Sequence, residues 1–299
     1  MRLLLSVILV ASFAGCDEED DDCDPGMYYL TFHSSDTKWI EYEDADTYVV
    51  GPHAIAAGGM QRFGVGAETN CGDQTPVTPL EVRDDDPQTA TETTTGATID
   101  VKGIAAGVAT LELLSPVADA RVQVAVAPIA SVRLVGDELG EPGAFYQGAP
   151  TAKIQLLDAD GQWLVDRSLT VSGDFRQGAR WNEVSLAGAS AGDHAVSIAA
   201  GTESWPVTAT IVDHIDGITA RDAAITVQQY AYADACFFAS TDGALVDGVP
   251  WHIDFDELSG TQTTPNCVEV WLPDDNHTQT TITAHALGYT ATTVVTFMP

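Results

Sequence analysis

The stretch Val108–Pro128, "VATLELLSPVADARVQVAVAP", decides the fold. It holds two alternating segments around a short polar, proline-containing loop. Val122, Val124 and Val126 fall on one face of the second segment, and Arg121, Gln123 and Ala125 on the other. A strand with alternate apolar residues is buried on one side only, which is the situation in a sandwich of antiparallel sheets. The pattern recurs at Ala195–Asp213, "AVSIAAGTESWPVTATIVD", and at Thr281–Pro299, "TITAHALGYTATTVVTFMP". Leu111, Val196 and Ile282 open the matching first strands, and Val122, Val207 and Thr292 mark the second ones. A near-constant period over three copies indicates a tandem repeat. Asp160-Gly161 and Asp242-Gly243 read as hairpin turns, because Asp-Gly suits two central residues at positive φ.

Working outward, the expected fold class is all-β: three tandem immunoglobulin-like antiparallel β-sandwiches. The expected domains are 27–128, 129–212 and 213–299, with extra strands in "MYYLTF" and "KWIEYED" at the start of the first. The short links "APIAS" and "DHIDG" predict a stiff rod. The segment Gly96–Pro128 resembles the C-terminal half of bacterial Ig-like domains of the group-2 type, through its Ala-Ala-Gly turn before an Ala-Thr-aliphatic strand. Ser190–Ala195 resembles it more loosely. The resemblance implies a modular surface role and carries no catalytic residues.

The N-terminus predicts location. Arg2 is followed by the apolar run Leu3–Phe13, too short for a transmembrane helix of ~20 residues. Phe13-Ala14-Gly15-Cys16 resembles a lipobox, so residues 1–16 read as a lipoprotein signal with Cys16 as the acylated residue. That resemblance implies a lipid-anchored envelope protein of a Gram-negative bacterium, with the outer membrane as the expected site. Residues 17–26 then form a tether, in which seven acids surround Cys23.

The remaining four cysteines are even in number, and an exported protein would pair them. Three connectivities exist. Proximity in the chain favours Cys23 with Cys71 and Cys236 with Cys267.

With 12 Lys+Arg, 44 Asp+Glu and a net charge of −32, the chain is a poor ligand for nucleic acid, which requires phosphate neutralisation. Residues 222–299 contain no Lys or Arg. The metal candidates are His252, Asp254 and Asp256, on the outer face of "WHIDFD", and Asp158 and Asp160 before Gly161. The bland reading of each is a solvated strand face or a turn. Asp84-Asp85-Asp86 and Asp274-Asp275-Asn276 stand on the same footing, so no cofactor is expected and calcium is the one candidate ion. No Gly-x-Ser-x-Gly elbow, HExxH helix or phosphate loop is present, and the chain is not expected to be an enzyme.

Six tryptophans read mainly as core residues. Trp181, following Arg176 and Arg180, is the candidate for an exposed binding surface. The expected function is a non-catalytic binding or adhesion module for a surface protein or glycan. The alternatives are a passive spacer or assembly subunit and, less favoured, a hydrolytic enzyme. A binder should expose an aromatic patch, and an enzyme should carry a deep pocket with convergent polar groups.

Overall fold

The computed structural model describes residues 28–33, 40–44, 47–50, 53–69, 74–75, 77–116, 119–136, 143–228, 231–256, 259–272 and 278–298. Cys16, Cys23, Cys71, Trp39, Asp274–Asn276 and the tether lie outside these residues. The described residues contain strands and turns, with no α-helix among them.

One strand order occurs three times. In the first sandwich one sheet runs Tyr28–His33, Met60–Thr69, Thr98–Gly103, Ala90–Thr95. The facing sheet runs Ala54–Ala56, Asp119–Ala127, Gly107–Leu114, Glu81–Asp84. In the second, Ser131–Val135, Thr151–Leu157, Glu183–Ser185 and Arg176–Gln177 face Ala144–Tyr146, Glu203–Val212, Gly192–Ala200 and Thr170–Gly173. In the third, Gly217–Ala220, Tyr232–Thr241, Cys267–Trp271 and Gly260–Thr264 face Ala224–Gln228, Tyr289–Met298, Gln279–Ala286 and His252–Asp254. In every copy a short early strand pairs parallel with the last strand, and the last strand pairs antiparallel with the strand before it. The chain is therefore three tandem immunoglobulin-like sandwiches. Each encloses its own buried apolar cluster, built from the alternate residues of its strands.

The periodic hairpins are the closing hairpins of the three sandwiches. Leu111 faces Val122 and Val196 faces Val207 as direct partners. The third copy needs a correction of one residue. Ile282 faces Thr293, which is buried, while Thr292 is exposed, so Thr293 is the equivalent of Val122 and Val207. The buried threonine hid the register, because a Thr-Thr pair gives no apolar alternation to read. Asp242 and Gly243 both take positive φ in a two-residue turn, as expected. Asp160-Gly161 differs, with only Gly161 at positive φ. The strands close at Leu157 and Trp163, leaving a longer loop organised by Asp158. Its Oδ1 accepts bonds from the amides of Asp160 and Gln162.

Cys236 and Cys267 are direct cross-strand partners with Cα atoms 4.2 Å apart, and their sulfurs are bonded.

The sandwiches are joined through their sheets. Ala54–Ala56 pairs with the last strand of its own sandwich and, on its other edge, with Trp163–Val165 of the second. Ala144–Tyr146 does the same between Glu203–Val212 and Ala244–Asp247 of the third. Each joint strand is thus hydrogen-bonded on both sides.

Candidate functional site

The first joint positions a cleft of about 940 Å³ between the first two sandwiches. Asp166, between the lining residues Val165 and Arg167, ties the two sandwiches together beside it. This carboxylate is fully buried, directly after the strand Trp163–Val165. Its Oδ1 accepts bonds from the Met60 amide (3.1 Å), the Ser168 amide (2.8 Å) and the Ser168 hydroxyl, and its Oδ2 accepts one from the Gly201 amide (2.8 Å). Donors on both sides of the joint thus satisfy this buried carboxyl group. The Arg167 amide donates back to the Met60 carbonyl at 2.7 Å. Met60, Arg62 and Arg167 are thereby held at one rim.

The second sandwich supplies the rest. Ala152, Ile154 and Leu156 point into its core, so alternation turns Lys153 and Gln155 to the opposite face. Arg133, the cross-strand partner of Gln155, donates Nε–H to its Oε1 at 2.7 Å. The turn before Glu183–Ser185 carries Arg180, Trp181 and Asn182, and Glu183 shapes it. That carboxylate accepts the Arg180 amide at 3.1 Å and lies 3.6 Å from the guanidinium.

Two features set this cleft apart from the rest of the surface. Arg62, Lys153, Arg167 and Arg180 line it, four of the chain's 12 basic residues, with no Asp or Glu among the described lining residues. Carboxylates stand one step behind. Asp100 holds Arg62 through Nε (2.6 Å) and Nη2 (2.8 Å), and this pairing keeps the Asp100 carboxyl below its ordinary range. The second feature is aromatic. Trp163 is 47 % exposed and stacks on His53, with ring centroids 5.6 Å apart and planes at 21°. Burial pushes the His53 imidazole below its ordinary value, so it is neutral at pH 7.

Trp181 and Arg180 thus line the cleft, while Trp181 also packs against the second core. Trp163, more exposed, was not singled out by the sequence. A signal existed in the repeat: Leu-Val-Asp occurs at 164–166 and 245–247, preceded by Trp163 in one copy and by Ala244 in the other.

The metal candidates separate. His252 and Asp254 are exposed on one strand face, where the cross-strand partner His285 joins them. The two Asp254 oxygens lie 3.1 Å from the Nε2 of His252 and of His285. Asp256 is past the strand end and outside this group. Asp158 caps its loop, as described, and Asp160 is exposed. Asp84, Asp85 and Asp86 accept bonds within their own turn and from Thr110. Among the described residues, no group of three or more His, Cys, Asp or Glu has the arrangement of a metal centre.

No protein-family model and no curated protein matches the chain. Solved structures do. Domains 5–6 of the S-layer protein SbsC are 17 % identical, covering 58 % of this chain and 98 % of theirs, with a TM-score of 0.27. Invasin, a bacterial integrin-binding protein, is 13 % identical over 91 % of this chain and 60 % of its own, at 0.24. The I9–I11 tandem of titin is 8 % identical over 87 % and 99 %, at 0.21. Scores this low carry nothing about what the chain binds.

Proposed function

We propose that this chain is a lipid-anchored cell-envelope protein that binds its ligand, without catalysis, in the cleft between its first two sandwiches. The observation that carries the binding role is the convergence of four cations and two tryptophans in a concavity of ligand size. Binding pockets are typically ~300–1,000 Å³ with a few placed polar groups. No Ser, Thr, Cys, Asp or Glu is among the described lining residues, which supports binding over hydrolysis. The reading needs no metal or cofactor. The anchor rests on Phe13-Ala14-Gly15-Cys16 and the acidic run behind it.

The binding test is co-sedimentation of the purified protein with cell-envelope material, wild type against Trp163→Ala and Lys153→Ala. Retention of the wild type and loss of both variants is expected. Equal retention of all three would remove the cleft from the reading. Mass spectrometry of the native N-terminus tests the anchor, with a diacyl- or triacyl-cysteine expected at position 16. A second reading, the structural spacer, draws support from the two strand-sharing joints, which suit a chain that holds its length.

A further inference from the structure

We infer that the ligand of this cleft is an acidic saccharide, a sugar chain bearing carboxylate or sulfate groups. The inference rests on the binding role proposed above and specifies its chemistry.

The first argument is charge. Acids outnumber bases nearly fourfold in the chain, yet the described lining residues of the cleft invert that ratio. In a protein of net charge −32, four cations and no acid among the described lining residues concentrate the favourable potential in one place. The acidic exterior is screened beyond ~8 Å at physiological salt, whereas groups inside a cleft are screened less. A ligand with spaced anionic groups can therefore enter, while a dense, long polyanion such as duplex nucleic acid would meet the surrounding acids.

The second argument is the donor type. Guanidinium presents a planar fork that matches carboxylate and sulfate oxygens. Arg62 is pre-oriented by Asp100 through Nε and Nη2, and that pair leaves Nη1 outside it. Arg180 is held by Glu183 with its side chain largely exposed. Arg62 is thus oriented before a ligand arrives, which lowers its ordering cost on binding.

The third argument is the aromatic platform. A pyranose ring has an apolar face of C–H groups, and a flat indole accepts it. Trp163 is exposed and backed by a neutral His53, so its orientation is set by stacking. A peptide of acidic residues alone would satisfy the cations but would offer no C–H-faced ring to this platform, and it is the competing ligand.

The experiment is isothermal titration of the full mature chain with oligogalacturonate, its neutral methyl ester, a sulfated and a desulfated glycan of equal length, and an oligoglutamate of equal charge. Binding of the oligogalacturonate or the sulfated glycan is expected, at least tenfold tighter than of the neutral counterparts. Whether the carboxylated or the sulfated arm binds more tightly identifies the anionic group. Lys153→Gln with Arg180→Gln should remove that preference at an unchanged melting temperature, and Trp163→Ala should weaken both charged and neutral arms. Equal affinity for acidic and neutral sugars would overturn the inference and leave the binding function standing. Tighter binding of oligoglutamate would overturn it in favour of an acidic peptide. No binding in any arm by a folded protein would also overturn it, and co-sedimentation lost on Trp163→Ala would then show that the cleft binds something else.

Discussion

Asp166 shows how much one residue can do at a joint. A carboxylate with no solvent contact is normally expensive, and here four hydrogen bonds compensate for it. Asp166→Ala would strand the amides of Met60, Ser168 and Gly201. At ~1–3 kcal/mol per unsatisfied buried donor, a loss of about 3–5 kcal/mol is expected in chemical denaturation. Asp166→Asn keeps the shape and one acceptor and should lose about 1–3 kcal/mol. A loss under 0.5 kcal/mol for the alanine variant would refute the clamp. Two histidines give a second test, with opposite signs. Burial lowers the His53 pKa, so the unfolded chain takes up the proton first as pH falls below ~6.5. The stability linked to neutral His53 is full above that value and declines as pH falls through its lowered folded pKa. His214 is raised by its hydrogen bond to Asp213, with ring and carboxylate 2.9 Å apart. Its contribution is full below ~6.5 and is lost as pH rises through its raised folded pKa. An NMR titration of the imidazole protons should place the His53 midpoint below ~6.5 and that of His214 above it. The reverse order would contradict both environments.

At the scale of elements, the sequence disclosed long strands and concealed short ones. Alternating runs of eight to ten residues, such as Gly107–Leu114 and Glu203–Val212, carry enough periods to be read. Ala54–Ala56 and Ala144–Tyr146 are three residues each, with no alternation to see, and their partners lie a whole sandwich away. These concealed strands make the joints and so build the cleft. Their repeat is nevertheless detailed. The Ala57 amide donates to the Ala127 carbonyl as the Gln147 amide does to that of Val212, and a buried Asp, 166 or 247, closes each Leu-Val-Asp arm. The cleft was half legible: Arg180 and Trp181 are sequence neighbours, whereas Arg62 of the first sandwich meets Lys153 and Trp163 of the second only through the joint. A glycine substitution tests the element. Gly201 sits at φ +60°, and a Cβ there would lie 2.4 Å from the Ala57 carbonyl oxygen. Gly201→Ala should cost about 1–3 kcal/mol. It should also speed hydrogen exchange at Ala57 and Gly58 while leaving the strand Tyr289–Met298 unchanged. Unchanged exchange at Ala57 and Gly58 would mean that the joint does not depend on this contact.

At the scale of the molecule, charge is unevenly shared among the sandwiches. The second holds Arg133, Lys153, Arg167, Arg176 and Arg180, several of them around the cleft, while residues 222–299 hold none. Arg221, the last cation in the sequence, lies 3.2 Å from Asp222 and donates to the Asp234 carbonyl at 2.8 Å. Beyond it the carboxylates of the third sandwich have only histidines as cationic partners within their own segment. Asp254 shows this, flanked by His252 and His285. Mutual repulsion should therefore destabilise the third sandwich most at low ionic strength, where the Debye length reaches ~30 Å at 0.01 M salt against ~10 Å at 0.1 M. The measurement is hydrogen exchange of the full chain at 0.01 M salt, in 0.15 M NaCl, and in calcium at matched ionic strength. Protection at Ile282, Val295 and Phe297, buried in the third core, should rise with NaCl by more than at Ile198 and Ile211 in the second. Equal protection in all three solutions would sink the repulsion argument. A further rise with calcium at matched ionic strength would require a bound ion, because screening is then the same and only preferential binding to the folded state remains. The expected result is a rise with NaCl and none beyond it with calcium, since among the described residues no group of three or more His, Cys, Asp or Glu is arranged to hold an ion.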